Sequence, residues 1–184
     1  QTADKNWNKY QWFNGTDSFV SVETGLSGGN ALGAVTISAN IYLTDETNFN
    51  GFWAFGFSAY RCYLDGITSG EIEINLDTQT GFVPEIYTEY FIEVDYDSSG
   101  QGTALRVNGV TEWTGLAAAG GTDSSGLFIV GARRLSSVYS FFMNGSIWDV
   151  TVSSFLNYTG LGNDPWRDTI GSNDGTEAGT FTRE

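Results

Sequence analysis

From Val35 to Leu43 every second side chain is apolar. Val35, Ile37, Ala39, Ile41 and Leu43 fall on one face, and Thr36, Ser38, Asn40 and Tyr42 on the other. A period of two is the pleat of a strand and cannot lie on one face of a helix. The same alternation returns in Glu71 to Leu76, with Ile72, Ile74 and Leu76 inward and Glu71, Glu73 and Asn75 outward. It returns again in Glu89 to Asp97, where Ile92, Val94 and Tyr96 oppose Glu93, Asp95 and Asp97. Phe19 to Val22 alternates after the turn Asn14-Gly15-Thr16-Asp17. Phe52 to Phe57 is continuously apolar or small, as in a strand covered on both faces. Leu105-Arg106-Val107 enters Asn108-Gly109, a type I′ hairpin turn, and leaves through Val110 to Trp113. Leu127 to Gly131 is a further strand. Phe141-Phe142-Met143 leads through an expected turn at Asn144-Gly145 into the strand Ser146 to Val152. Short strands separated by Gly, Asn, Asp and Ser predict an all-β, two-sheet antiparallel sandwich with almost no helix.

Composition agrees with that architecture. Thirteen Phe, nine Tyr and six Trp suit half-buried pleated surfaces, and 24 Gly with two Pro suit tight turns. The 184 residues are enough for one domain with a sizeable core. No internal repeat and no linker divides the chain, so 1–184 is expected to be one unit with its core at about 10–155. Ala117 to Gly121 reads as a loop. The stretch 156–184 is turn-rich and carries Pro165, and its apolar anchors Trp166, Ile170 and Phe181 predict that it packs on the domain. The chain begins at Gln1 and not at Met, as a processed or partial sequence would.

Lys and Arg number 8 against 22 Asp and Glu, a net charge of −14. Such a field repels phosphate backbones and anionic lipid surfaces, so neither nucleic acid nor a membrane is an expected partner. No segment is long and apolar enough to span a bilayer as a helix. The absence of histidine excludes Ser-His-Asp and Cys-His catalysis and His-bearing zinc sites. Cys62 is the only cysteine, which rules out an intrachain disulfide, and its apolar surroundings predict a small buried hydrophobe.

The order of segments resembles the laminin-G-like and concanavalin-A-like jelly rolls. Phe13 to Val22 resembles the opening strand and its tight Gly turn, and Val35 to Ile41 the second strand. Ile92 to Asp97 followed by Leu105 to Gly109 resembles the family's strand and Asn-Gly hairpin. Phe128 to Gly131 and Asn144 to Val150 resemble its closing strands. Trp166 to Thr176 is similar to a segment beside such domains in bacteriophage virion and marine bacterial surface proteins, where it pairs at a sheet edge. The resemblance implies a jelly-roll fold and an extracellular or virion-surface location. It also implies a non-catalytic structural, decoration or adhesion module that binds glycan or protein as part of a larger assembly. A free carbohydrate-binding lectin domain and a glucanase-type glycoside hydrolase are the alternatives the same fold hosts.

Each implication nominates residues. Glucanases of this fold carry paired carboxylates on one strand, with a nucleophile and an acid/base about 5 Å apart. Glu71-Ile72-Glu73 has no third acid at Asn75 or Leu76, and Glu93, Asp95 and Asp97 end on a short Asp, so no catalytic residue is expected. Calcium is the one cofactor the fold adds, with Asp65, Asp95, Asp97 and Asp123 as candidate ligands. Sugar binding needs aromatic platforms, for which Trp53, Tyr60, Tyr63, Tyr87, Trp113 and Tyr139 are the candidates. Arg133 and Arg134, the only adjacent basic pair, are candidates for contact with an acidic neighbour. Asn14, Asn144 and Asn157 open Asn-x-Ser/Thr sequons, two of which coincide with Asn-Gly pairs.

Overall fold

The alternating runs do form strands, and their apolar faces meet in one core. The computed structural model describes residues 11–24, 32–55, 59–119, 126–135, 138–153, 156–158, 166, 168 and 174–183. No helix occurs among them. In chain order the strands are β1 (Gln11–Asn14), β2 (Phe19–Glu23), β3 (Val35–Leu43), β4 (Phe49–Phe55), β5 (Ala59–Asp65) and β6 (Glu71–Ile74). Then come β7 (Thr78–Gln79), β8 (Glu89–Tyr96), β9 (Gly102–Val107), β10 (Val110–Ala117), β11 (Leu127–Val130) and β12 (Arg133–Leu135). Last are β13 (Val138–Ser140), β14 (Asn144–Val152), β15 (Leu156–Tyr158), β16 (Thr176–Ala178) and β17 (Phe181–Arg183).

An eight-stranded sheet runs in the order β10-β9-β8-β3-β14-β1-β17, with β15 also paired to β14. A seven-stranded sheet runs β16-β2-β11-β4-β5-β6-β7, and β12 and β13 form a separate hairpin. All the pairings are antiparallel. The core takes Ile37, Ala39, Ile41 and Leu43 from β3, and Ile92, Val94 and Tyr96 from β8. It meets them with Tyr60, Cys62 and Leu64 from β5 and Ile72 and Ile74 from β6. The fold is therefore an all-β jelly-roll sandwich. β16 and β17 each complete one sheet edge, and Trp166 is 2% exposed with its ring edge-on to Phe13 and Tyr158. Ile170 lies outside the described residues.

Several local expectations change. The alternation of β6 stops at Ile74, because Asn75 adopts φ +54 and turns the chain. Asn75 is fully buried and its side chain ties β5 to Gly100 and Ala117, whereas Leu76 is 47% exposed. Asp97 follows β8 in a turn and does not share the strand face of Glu93 and Asp95. Asn144-Gly145 is no turn: both residues pair within β14, and a Cβ on Gly145 would stand 2.0 Å from the Tyr42 carbonyl oxygen. Ala117 belongs to β10 and not to a loop. Asn108-Gly109 is the hairpin turn expected, with φ +51 and +81.

Candidate functional site

Strand β5 carries Arg61 and Asp65 in an otherwise apolar run. Since Tyr60, Cys62 and Leu64 face the core, the pleat sends Arg61, Tyr63 and Asp65 to the outer face of the seven-stranded sheet. Cross-strand pairing sets Tyr63 between Gly51 of β4 and Glu73 of β6, and Asp65 between Phe49 and Glu71. Glu73 in turn pairs Gln79 of β7. These residues belong to different strands but form one surface.

The β12–β13 hairpin walls that surface. Its feet are clamped to β4 where Gly131 N–H donates to Phe52 O (3.0 Å) and Gly51 N–H donates to Phe141 O (2.6 Å). Gly51 is required by this approach: a Cβ there would lie 2.8 Å from both the Ala132 carbonyl carbon and the Phe141 oxygen. Between hairpin and sheet is a cavity of about 380 Å³ lined by Phe49, Tyr63, Asp65, Thr68 and Glu73 on the sheet side, with Asp77, Gln79, Arg133 and Phe141 around it. Phe141 stacks on Phe49 (4.1 Å, 12°), and the Arg133 guanidinium lies 4.5 Å over the Phe141 ring. Asp77 (φ +54) and Phe141 (φ +56) hold left-handed backbone, which costs a bulky residue such as Phe most.

The polar groups are unequally satisfied. Arg61 is 1% exposed; its Nη2 pairs Asp77 Oδ1 at 3.0 Å and its guanidinium lies over the Tyr63 ring. Asp65 Oδ1 accepts the Ile67 and Thr68 amides at 3.1 and 2.9 Å. The Tyr63 hydroxyl is in hydrogen-bond contact with both Glu73 Oε2 and Asp77 Oδ1 (2.6 Å), yet it carries one proton. Burial, reinforced by the Asp65 and Asp77 charges, raises the Glu73 pKa, and the hydrogen bond from Tyr63 opposes that rise. Burial also pushes the Tyr63 phenol up. Arg133 is half-buried, its Nε is shielded from solvent, and it has no hydrogen-bond partner among the described residues. Burial, with Arg61 nearby, lowers its pKa.

Of the residues nominated from sequence, Tyr63, Asp65 and Arg133 meet here. Trp53 and Tyr60 do not: both are fully buried in the core. A bulge where β4 passes β5 turns Trp53 inward, so that its Nε1–H donates to Tyr96 Oη at 3.2 Å. Tyr60 donates to the Gly33 carbonyl at 3.0 Å. Tyr87 is 62% exposed before β8, Trp113 is half-buried on β10, and Tyr139 stacks on Phe19 at 3.9 Å. The side chain of Arg134 and all of Asp123 lie outside the described residues.

The calcium candidates do not converge. Asp65 is on the seven-stranded sheet, while Asp95 on the other sheet accepts both Arg106 Nη1 and Nη2 (2.6 and 2.7 Å) and Thr36 Oγ1. Asp97 Oδ1 accepts from Ser99 and Gln101 in its own turn. Among the described residues no three Asp, Glu or Cys side chains are arranged to hold a metal ion, and Asp65, Asp95 and Asp97 do not share one site. Phe49, Asp77, Gln79 and Phe141 were not nominated from sequence. Two charges inside the run Ala59 to Leu64 and its neighbour were the available signal, but nothing local marks the hairpin that closes the cavity.

No protein-family model and no curated protein matches the sequence. Among solved structures, the fold is similar to that of a candidate carbohydrate-binding protein from Bacteroides ovatus, with a TM-score of 0.68 at 16% identity over 95% of this chain. The chain spans 60% of the length of that protein. It is also similar to a heptameric SAP-like pentraxin from Limulus polyphemus, with a TM-score of 0.50 at 13% identity, covering 80% of this chain and 76% of the pentraxin. These likenesses establish the sandwich.

Proposed function

We propose that the chain is a non-catalytic glycan-binding module, serving adhesion or decoration on a cell surface or virion, and that the cavity under the β12–β13 hairpin holds a sugar residue. The observation that carries this reading is the composition of that one cavity. The rings of Phe49, Tyr63 and Phe141 line the same cavity as Thr68 and Gln79, whose side chains make no hydrogen bond to the described residues. Sugars ask for this mixture, with an apolar surface for the C–H face and planar polar groups for the hydroxyls. The volume falls at the small end of the about 300–1,000 Å³ of small-molecule sites. The fold likeness to a candidate carbohydrate-binding protein adds support.

Catalysis is disfavoured by the carboxyl geometry. Hydrolysis needs two carboxyls flanking the sugar with the reacting carbon between them. Here the Tyr63 hydroxyl fills the space between Glu73 and Asp77, and Glu93 and Asp95 are paired with Arg106. The test is an oligosaccharide panel read by binding and by product release. We expect at least one binder, no turnover, and a roughly tenfold weaker affinity in Gln79→Ala at unchanged melting temperature. A panel without a binder, or turnover lost in Glu73→Gln, overturns the reading.

A further inference from the structure

We propose that the sugar taken by this cavity is acidic, a hexuronic-acid residue whose carboxylate is gripped by Arg133. The inference rests on the glycan-binding reading and specifies its ligand class. Three arginine side chains lie among the described residues. Arg106 forks onto Asp95, and Arg61 pairs Asp77. Arg133 alone of the three has neither a hydrogen bond nor an ion pair to the described residues, although acids line the same cavity.

Those acids are already engaged. Asp77 Oδ1 meets Arg61 and Tyr63, Asp65 Oδ1 caps two backbone amides, and Glu73 contacts Tyr63 and Ser69. Burial raises the Glu73 pKa, which lessens the negative charge set against Arg61 and Arg133 in this cavity. Stacking on Phe141 holds the Arg133 plane in place, so little side-chain freedom remains to be lost on binding. The Nε–H of Arg133 is shielded from water without an acceptor, which is unfavourable in the free protein, and a planar carboxylate presents the two oxygens that match the guanidinium fork. A neutral hydroxyl would satisfy one N–H and leave the charge unmatched. Asp65 and Asp77 keep their second oxygens to accept from sugar hydroxyls, which a free anion does not supply.

The experiment compares oligosaccharides of glucuronic, galacturonic, mannuronic and iduronic acid with the same chains reduced at the carboxyl to neutral hexoses, by titration calorimetry on the full chain. Sodium acetate alone is a further arm. At least one acidic chain should bind roughly ten- to a hundredfold tighter than its reduced partner. Arg133→Gln should erase that preference and Arg133→Lys restore only part of it, both at the parent's melting temperature. Reduced chains that bind as well as acidic ones overturn this inference and leave the module a neutral-glycan binder, and a preference that survives Arg133→Gln overturns the role given to Arg133. Acetate binding as tight as that of the oligosaccharides also overturns it, since the site would then hold an anion and not a sugar. No binding by either set overturns the glycan-binding reading itself.

Discussion

Burial places the Glu73 carboxyl beside Asp65 and Asp77, where it keeps a proton that the unfolded chain gives up in the ordinary carboxyl range. The sign of the resulting pH dependence follows. The contribution of neutral Glu73 is complete below the ordinary Glu range and is lost as pH rises through its raised folded-state value. Glu73→Gln keeps a neutral group of the same shape, whose amide can donate to Tyr63 Oη. Urea midpoints of variant and parent should coincide in acid and separate as pH rises, with the variant the more stable. Curves that stay parallel at every pH would show that folding does not shift the titration of Glu73. Asp95 has the opposite sign. Hydrogen bonds from Arg106 hold its carboxyl below the usual range, so its contribution is present above the ordinary Asp value and fades as pH falls through the depressed one. Asp95→Asn should cost about 1 kcal/mol at neutral pH, at the upper end for a partly exposed pair, because its geometry is bidentate.

At the scale of elements, the β12–β13 hairpin depends on one glycine beneath it. Gly51→Ala drives a methyl into the backbone at Ala132 and Phe141, where nothing can rotate away. It should destabilise the fold by about 1–3 kcal/mol and, by lifting the hairpin, weaken any ligand of the cavity as well. A variant with unchanged stability and unchanged binding would mean that the hairpin does not wall the site. The tail is the second such element. Trp166 and Phe181 both stack edge-on against Phe13, while β16 and β17 cover the edges of β2 and β1. Truncation after Ser154 removes these contacts and should lower the melting temperature by roughly 5 °C or more. An unaltered melting curve would show that the tail contributes nothing to the domain.

For the whole molecule the net charge of −14 dominates long-range behaviour. Copies should repel one another strongly at low ionic strength, and the repulsion should fade once the Debye length shrinks to about 8 Å near physiological salt. Light scattering should give a second virial coefficient that is large and positive in dilute buffer and falls steeply as salt is added. A coefficient indifferent to salt would mean that the acids are neutralised in the folded protein. The same field slows the approach of an acidic sugar over long distances. The Arg133 contact inside the cavity is short-ranged and is screened much less.

The sandwich was legible because it follows from local periodicity. Val35 to Leu43 alternates, β3 alternates, and the alternating face is the core face. Asn108-Gly109 specified its own turn because left-handed backbone at both positions is a property of those residues. The cavity was legible only in part. Tyr63, Asp65 and Arg133 could be nominated, but Trp53 stood equally high, and a bulge between β4 and β5 turns it into the core. Asn144-Gly145 reads as a turn until Leu43 and Phe13 are seen to pair against it from both sides. Alternation says which residues share a face, and it says so from neighbours in the chain. Whether that face meets water or is closed over by a hairpin from residues 131–143 depends on register across four strands, and that was decided only when the sheets formed.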